Sequence, residues 1–253
     1  MGGETDTTPP VFLVPALPDS DLTVLDGEEA HHAVTVRRLR KGERLTLSDG
    51  RGGMADCVAE AVHPGRRPTV ELRVRDIRSV AAPALRVTVA QALAKGDRGE
   101  LAVELATEAG VDAIVPWRAA RSVARWDDGP RGAKALGKWR ATARAAAKQA
   151  RRAWVPEVSE PMTTRELATV VAEADLALVL DGAAPEALTD LALPEKGELL
   201  LVVGPEGGVA PEELAAFVEA GARSVRLGPT VLRTSTAAAV ALGALGALTA
   251  RWV

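Results

Sequence analysis

Residues 201–214 read LVVGPEGGVAPEEL. The apolar run Leu199–Val203 stops abruptly at Gly204-Pro205-Glu206-Gly207-Gly208, and Pro211 opens a helical pattern. The stretch therefore predicts a buried strand, a tight glycine turn and a helix. Glycine turns between a strand and a helix are the usual seats of phosphates and nucleotides. This one departs from that chemistry: it is not G-x-G-x-x-G, the chain holds no Gly-Lys-Ser/Thr of a Walker loop, and Glu206 would repel a pyrophosphate by like charge. Exposed backbone groups in such a turn suit an uncharged or cationic ligand, such as a sulfonium or an adenosine.

Outward from this loop, strands and helices alternate from Pro83 onward. Strands are expected at 85–93, 112–117, 174–181, 198–203 and 224–228, with helices at 99–110, 131–154, from Thr164, from Pro211 to Ala220, and over the final Ala/Gly segment. Continuous apolar strands between helices imply an α/β unit whose parallel sheet is covered on both faces. Ligands of such sheets sit beyond the carboxyl ends of the strands. Three loops collect there: DGAAPE after Leu180, GPEGG after Val203, and GPTVLRTST after Leu227. In the last of these, Thr234, Ser235 and Thr236 are natural N-caps for the helix AAAVALGALGAL, whose small side chains require close backbone approach.

Before Pro83 the rhythm is different. From Phe12 to about Arg78, short alternating segments (VFLV, LTVL, RLTLSDGRGG, ADCVAEAV, TVELRVRDI) are broken by the turn signals Asp49-Gly50 and Gly52-Gly53, with one short helix around EEAHHAVTVRRL. This predicts a small β-barrel over residues 1–78, joined through Ser79-Val80-Ala81-Ala82-Pro83 to a second domain, residues 79–253.

Composition narrows the function. The 253-residue chain has a net charge of −3, yet residues 153–253 hold 6 Lys and Arg against 14 Asp and Glu, leaving 25 against 20 for residues 1–152. Within the basic half, RGAKALGKWRATARAAAKQARR (131–152) carries eight cations and no acid, the charge pattern of a nucleic-acid partner. A single cysteine, Cys57, excludes an internal disulfide and a Cys-rich zinc site and fits a reducing cytoplasm. The three histidines, His31, His32 and His63, lack the i, i+4 spacing of a metal pair, so no metal is expected. The N-terminal MGGETDTT has neither basic nor apolar character, and Ala237–Ala250 falls short of a membrane span, so a cytoplasmic protein without a membrane partner is expected.

The two loop motifs carry a resemblance. GPEGG after a strand, followed by LGPTVLRTSTA some twenty residues later, resembles the paired signature of the RsmE family, SPOUT-class methyltransferases that methylate N3 of a uridine in 16S ribosomal RNA with S-adenosylmethionine. HHAVTVRRLRKGERLTLSDGRG is similar to that family's N-terminal PUA-like RNA-binding barrel, while ALAKGDRGELAVELATEAGVDAIVPW and KWRATARAAAKQARRAWVPEV resemble the start of its catalytic domain and its basic helix. The resemblance implies an α/β SPOUT-type parallel sheet with a deep trefoil knot, a homodimer, and the small ribosomal subunit as partner. It implies S-adenosylmethionine against Leu180, Gly204, Glu206 and Gly208 on one side. On the other side lie Leu227, Gly228, Val231, Leu232, Arg233 and Thr234. The family often has Arg where this sequence has Thr230, and many members have Glu in place of Ser235.

Methyl transfer to N3 is an in-line displacement at a sulfonium methyl, with no covalent enzyme intermediate. The N3 proton leaves a site roughly two pK units above neutrality, a demand of about 3 kcal/mol. Arg233 is the candidate for stabilising charge at a uracil oxygen, and Glu206 the candidate proton acceptor. For RNA the candidates are Arg37, Arg38 and Arg40, then Lys95 and Arg98, and then Arg144, Lys148, Arg151 and Arg152. The i, i+4 step puts Arg144, Lys148 and Arg152 on one helix face, with Trp139, Ala143, Ala146 and Ala150 packed inward. With no Tyr and two Phe, phosphate contacts rather than stacking should dominate. Two other functions share these features: a SPOUT methyltransferase with another target, such as a ribose 2′-hydroxyl, or a non-catalytic ribosome-assembly protein.

Overall fold

The computed structural model describes residues 8–252, and within them the chain forms two compact units. The first comprises the residues up to Ala82 together with Ala147–Val155. Its strands are β1 (Val11–Leu13), β2 (Leu22–Leu25), β3 (Arg44–Ser48), β4 (Gly53–His63) and β5 (Thr69–Ser79), paired in the order β1-β3-β4-β5-β2. All neighbours are antiparallel except β1 and β3. Alternating residues bury Phe12, Leu45, Leu47, Cys57, Val70 and Leu72 in one core. The β3–β4 turn follows from its sequence, because the Asp49 carboxylate accepts from the backbone N–H groups of Arg51 (2.7 Å) and Gly53 (2.9 Å). Gly52 is required there twice over: its φ is +98°, and a Cβ would lie 2.6 Å from the Trp154 ring. Helix α1 (Gly27–His31) continues as a π-helical turn over His32–Val36, so the single short helix expected here has two parts.

The second unit, Pro83–Ala146 with the described residues from Pro156 onward, is built on a six-stranded sheet. Its strands are β6 (Leu85–Ala92), β7 (Ala113–Trp117), β8 (Glu157–Val158), β9 (Leu176–Leu180), β10 (Gly197–Val203) and β11 (Arg223–Val225), in the order β11-β9-β10-β6-β7-β8. Every pairing is parallel. Odd positions such as Val87, Leu199 and Leu201 pack with α2 (Arg98–Glu108), α3 (Pro130–Gln149) and α6 (Thr234–Leu248) through Val103, Trp139, Ala238 and Leu242. Even positions such as Ala90, Leu200 and Val202 pack with α4 (Thr164–Glu173) and α5 (Pro211–Glu219) through Leu167 and Phe217. Both faces are therefore covered, which is why these strands lack a polar alternation.

Close approach explains the small residues of α2 and α6. A Cβ on Gly99 would sit 2.8 Å from the Trp139 ring, and one on Gly246 would run into the Trp252 ring. Arg251 secures the C-terminal segment: its guanidinium donates to the Asp112 carboxylate at 2.8 Å and to the Gly110 carbonyl at 2.6 Å, in a pair whose side chains are almost fully buried. Among the described residues no helix is long and apolar enough to cross a membrane.

Helix α3 ends at Gln149 rather than at 154. Arg151 takes a left-handed φ of +55°, with its N–H donating to the Lys148 carbonyl and the Arg152 N–H donating to Ala147. This is the Schellman closure, here without the usual glycine. Arg152 therefore does not share a helix face with Arg144 and Lys148, and Ala150 is exposed, whereas Trp139, Ala143 and Ala146 are buried as the periodicity requires.

Candidate active site

The loops leaving the carboxyl ends of β9, β10 and β11 enclose a cavity of about 540 Å³, within the range of small-molecule sites. The GPEGG turn forms one wall. Its Gly208 N–H donates to the Pro205 carbonyl at 2.9 Å, and Gly208 adopts φ +73°. Gly204 allows Val209 to fold back, since a Cβ there would come 2.9 Å from the Val209 methyl. Leu180 at the end of β9, Leu227 and Gly228 after β11, and the exposed Val231 complete the apolar part. Leu232, Arg233 and Thr234 close the cavity at the start of α6.

The hydroxyls in the first turn of α6 behave differently from simple caps. Arg233 is the N-cap residue and its side chain does not cap the helix. Thr234 Oγ1 instead donates to the Gly204 carbonyl at 2.7 Å and accepts from the buried Gln91 amide at 3.0 Å, tying α6 to the GPEGG turn and to the end of β6. Thr236 Oγ1 donates to the Arg233 carbonyl. The expected N-cap role thus gives way to a tertiary one, because the Gly204 carbonyl at the strand end needs a donor.

All ten residues implied to touch the cofactor line this cavity. Glu206 is exposed, and its carboxylate accepts from the Lys95 backbone N–H at 3.3 Å, so it reaches across to the β6–α2 loop rather than bonding within its own turn. Arg233 is exposed at the rim. Arg98, assigned to RNA from the sequence, also lines the cavity, and so does Arg121, which sequence reasoning passed over because no motif marks it. The lining fits a cationic sulfonium compound bearing an adenosine: apolar side chains and glycine backbone for the base, the carboxylates of Asp181 and Glu206 for positive charge, and arginines for a carboxylate. Among the described residues no group of His, Cys, Asp and Glu is arranged to hold a metal.

The basic candidates separate into exposed and occupied groups. Arg37, Arg38, Arg40, Lys95, Arg144 and Arg151 are exposed. Arg38 holds a left-handed φ of +54° where the π-helical turn ends. Lys148 is largely buried: it pairs with Glu29 at 2.5 Å and lies 4.9 Å over the Phe12 ring, so its charge is satisfied within the first unit. Arg152 is half-buried. No local signal could have shown the Lys148–Glu29 pair, since its members stand 119 residues apart.

A parallel α/β sheet with a glycine-walled cavity at its carboxyl edge, and a small β unit rich in exposed arginine, agree with the class to which the family comparisons assign the chain, the RNA methyltransferases. The RNA methyltransferase domain family matches residues 81–246, and the RNA methyltransferase PUA domain family matches residues 25–66. The chain belongs to the family of ribosomal RNA small subunit methyltransferase E. It is 54% identical to the Mycobacterium bovis protein of that name over 96% of this chain and 93% of the relative. It is 31% identical to the Bacillus subtilis one over 87% and 88%. The crystal structure of ribosomal RNA small subunit methyltransferase E from Neisseria gonorrhoeae bound to S-adenosyl methionine superposes with a TM-score of 0.79 at 28% identity, covering 95% of this chain and 98% of that one.

Proposed function

We propose that this protein methylates N3 of a specific uridine in the 16S RNA of the small ribosomal subunit, using S-adenosylmethionine. The observation that carries this reading is the convergence of the β9, β10 and β11 loops on one cavity whose lining is glycine backbone, leucine and arginine. When bound, the cofactor supplies an electrophilic methyl group on a sulfonium. The protein's part is to orient, to exclude water and to manage one proton. Leu180, Leu227 and Leu232 give a dry wall, while Gly204, Gly208 and Gly228 let the backbone come close. In this reading Arg233 faces the uracil oxygen that gains charge as the N3 proton leaves, and the Glu206 carboxylate takes that proton directly or through water. The wider assignment follows: residues 1–78 as a PUA-like β-barrel that grips RNA through Arg37, Arg38 and Arg40, and residues 79–253 as a SPOUT domain with α6 drawn through a trefoil knot. The small residues of α6 suit such threading. Exposed Leu101, Val240, Leu248 and Trp252 suit a homodimer contact, and the work is expected in the cytoplasm.

The deciding experiment maps methylated uridines in ribosomal RNA by mass spectrometry, from cells with and without the gene and after treatment of the unmethylated subunits with purified protein. One N3-methyluridine should disappear and be restored. A lost mark on a ribose instead of a base would overturn the N3 assignment.

A further inference from the structure

Glu213 is a buried carboxylate, 6% exposed, at the third position of α5, within its first turn. No lysine or arginine pairs with it among the described residues. Its partners are three neutral donors from three separate places. The Ala120 N–H reaches Oε1 at 2.8 Å, the Thr164 hydroxyl reaches the same oxygen at 2.7 Å, and the Ala210 N–H reaches Oε2 at 3.3 Å. Thr164 Oγ1 is itself fixed in direction, because it accepts from the Trp117 indole N–H at 3.1 Å and so must donate to Glu213. A charge taken out of water persists only where donors converge on it. The Ala210 bond alone is half of a helix capping box; Ala210 has no side-chain oxygen for the other half.

What the other bonds hold is the loop after β7. Ala120 is pinned by Glu213, and the next residue, Arg121, donates from its guanidinium to the Gly207 carbonyl at 3.1 Å and lines the cavity. Immediately after Glu213, Leu214 lines the same cavity. One carboxylate thus locks the 118–122 loop to the start of α5, on either side of the GPEGG turn. Arg121 has five N–H donors and, among the described residues, uses one on the Gly207 carbonyl, which leaves the remainder of the fork available at the cavity rim. We propose that Glu213 is a positioning residue that sets Arg121 over Gly207, where its guanidinium receives an oxyanion of the bound reactants.

The oxyanion has two sources, the carboxylate of the methyl donor or a phosphate of the RNA, and the experiment separates them. The inference rests on the cavity being the methyl-donor pocket, which wild-type binding of S-adenosylmethionine by calorimetry tests on its own. The variants are Glu213→Gln, Thr164→Val, Arg121→Ala and the Arg121→Ala/Glu213→Gln double. Gln keeps the size but turns an NH2 toward a donor, and Val removes the hydroxyl's bond to Glu213 together with the acceptor of the Trp117 indole N–H, while leaving the carboxylate and its two backbone partners. For the cofactor source, Glu213→Gln and Arg121→Ala each weaken S-adenosylmethionine binding about tenfold, and Thr164→Val about threefold, with kcat at saturation little changed. For the phosphate source, cofactor affinity holds and the KM for RNA rises by those factors. In both cases Glu213→Gln adds less than about twofold in the Arg121→Ala background, since the two residues act as one. Additive losses in the double variant, or a lowered melting temperature with unchanged KM and affinity in every single variant, overturn the proposal. Failure of the wild type to bind the cofactor overturns it together with the pocket reading.

Discussion

Arg233 stands at the cavity rim as the N-cap residue of α6, so its backbone is fixed by the helix while its side chain stays exposed. Replacement by Ala leaves the helix start intact, because the Thr236 and Ala237 N–H groups bond to the Arg233 carbonyl. Methylation should then fall about 10²- to 10³-fold, the cost of losing one preorganised donor to developing charge, with cofactor affinity nearly retained. Calorimetry and single-turnover methylation together decide it: normal binding with unchanged turnover removes Arg233 from the chemistry. Cys57 is the opposite case, a thiol at 2% exposure on β4. Burial, with the Asp56 charge beside it, pushes its pKa up from 9.0 to about 11. The native protein should therefore resist thiol-specific alkylation at pH 8 and react on unfolding. Because the folded-state value is the raised one, this thiol's contribution to stability is complete below pH 9 and is lost as pH climbs through 11. Denaturation midpoints followed from pH 8 to 11 should fall less steeply in Cys57→Ala than in the wild type.

At the scale of elements, the junction of α1 with the π-helical turn carries a titrating group. His32 sits there beside Lys148 and edge-on to Phe12, and its pKa is lowered first by burial and then by Lys148, with Glu29 opposing. A histidine held neutral in the fold is protonated sooner in the unfolded chain. Stability is therefore undiminished above pH 6.5, falls as pH drops below that value, and levels off once the folded form has also taken its proton. Urea midpoints between pH 7.5 and 5 should show this decline, and His32→Gln should flatten it; an unchanged slope in the variant would assign the decline elsewhere. The same region marks the limit of what the sequence makes legible. Strand and helix periods locate β3–β7, β10 and α2–α6 within a few residues, since burial on one face or on both leaves a local pattern. The stop of α3 at Gln149 leaves none, because a left-handed Arg151 does the work of glycine. Glu213 was also hidden: a Glu two residues after Pro211 looks like an ordinary first-turn carboxylate, and only Ala120 and Thr164, distant in the chain, make it structural. The glycine and leucine walls of the cavity were legible because loop motifs are contiguous; Arg121 was not, because its part depends on a partner loop 86 residues away.

Over the whole molecule, charge is distributed against its net value. The −3 total hides a basic first part, and the candidate cations that remain exposed after Lys148 is subtracted are the ones proposed to meet phosphates: Arg37, Arg38, Arg40 and Arg151 in the first unit, Lys95 and Arg144 in the second. Each phosphate contact releases condensed counterions, so the logarithm of RNA affinity should fall linearly with the logarithm of salt, by about 0.7 to 0.9 per contact. Replacing Arg37, Arg38 and Arg40 together by Ala should lower affinity for small-subunit RNA and also reduce that slope by about 2. Lys148→Ala should leave the slope unchanged and lower thermal stability instead, because it strips Glu29 of its partner in a largely buried pair. Filter binding over a salt series, run beside thermal melts of the same variants, separates the two kinds of cation. A triple-Arg slope equal to wild type would remove the first unit from RNA contact, and a Lys148→Ala slope reduced by one would return that lysine to the RNA surface.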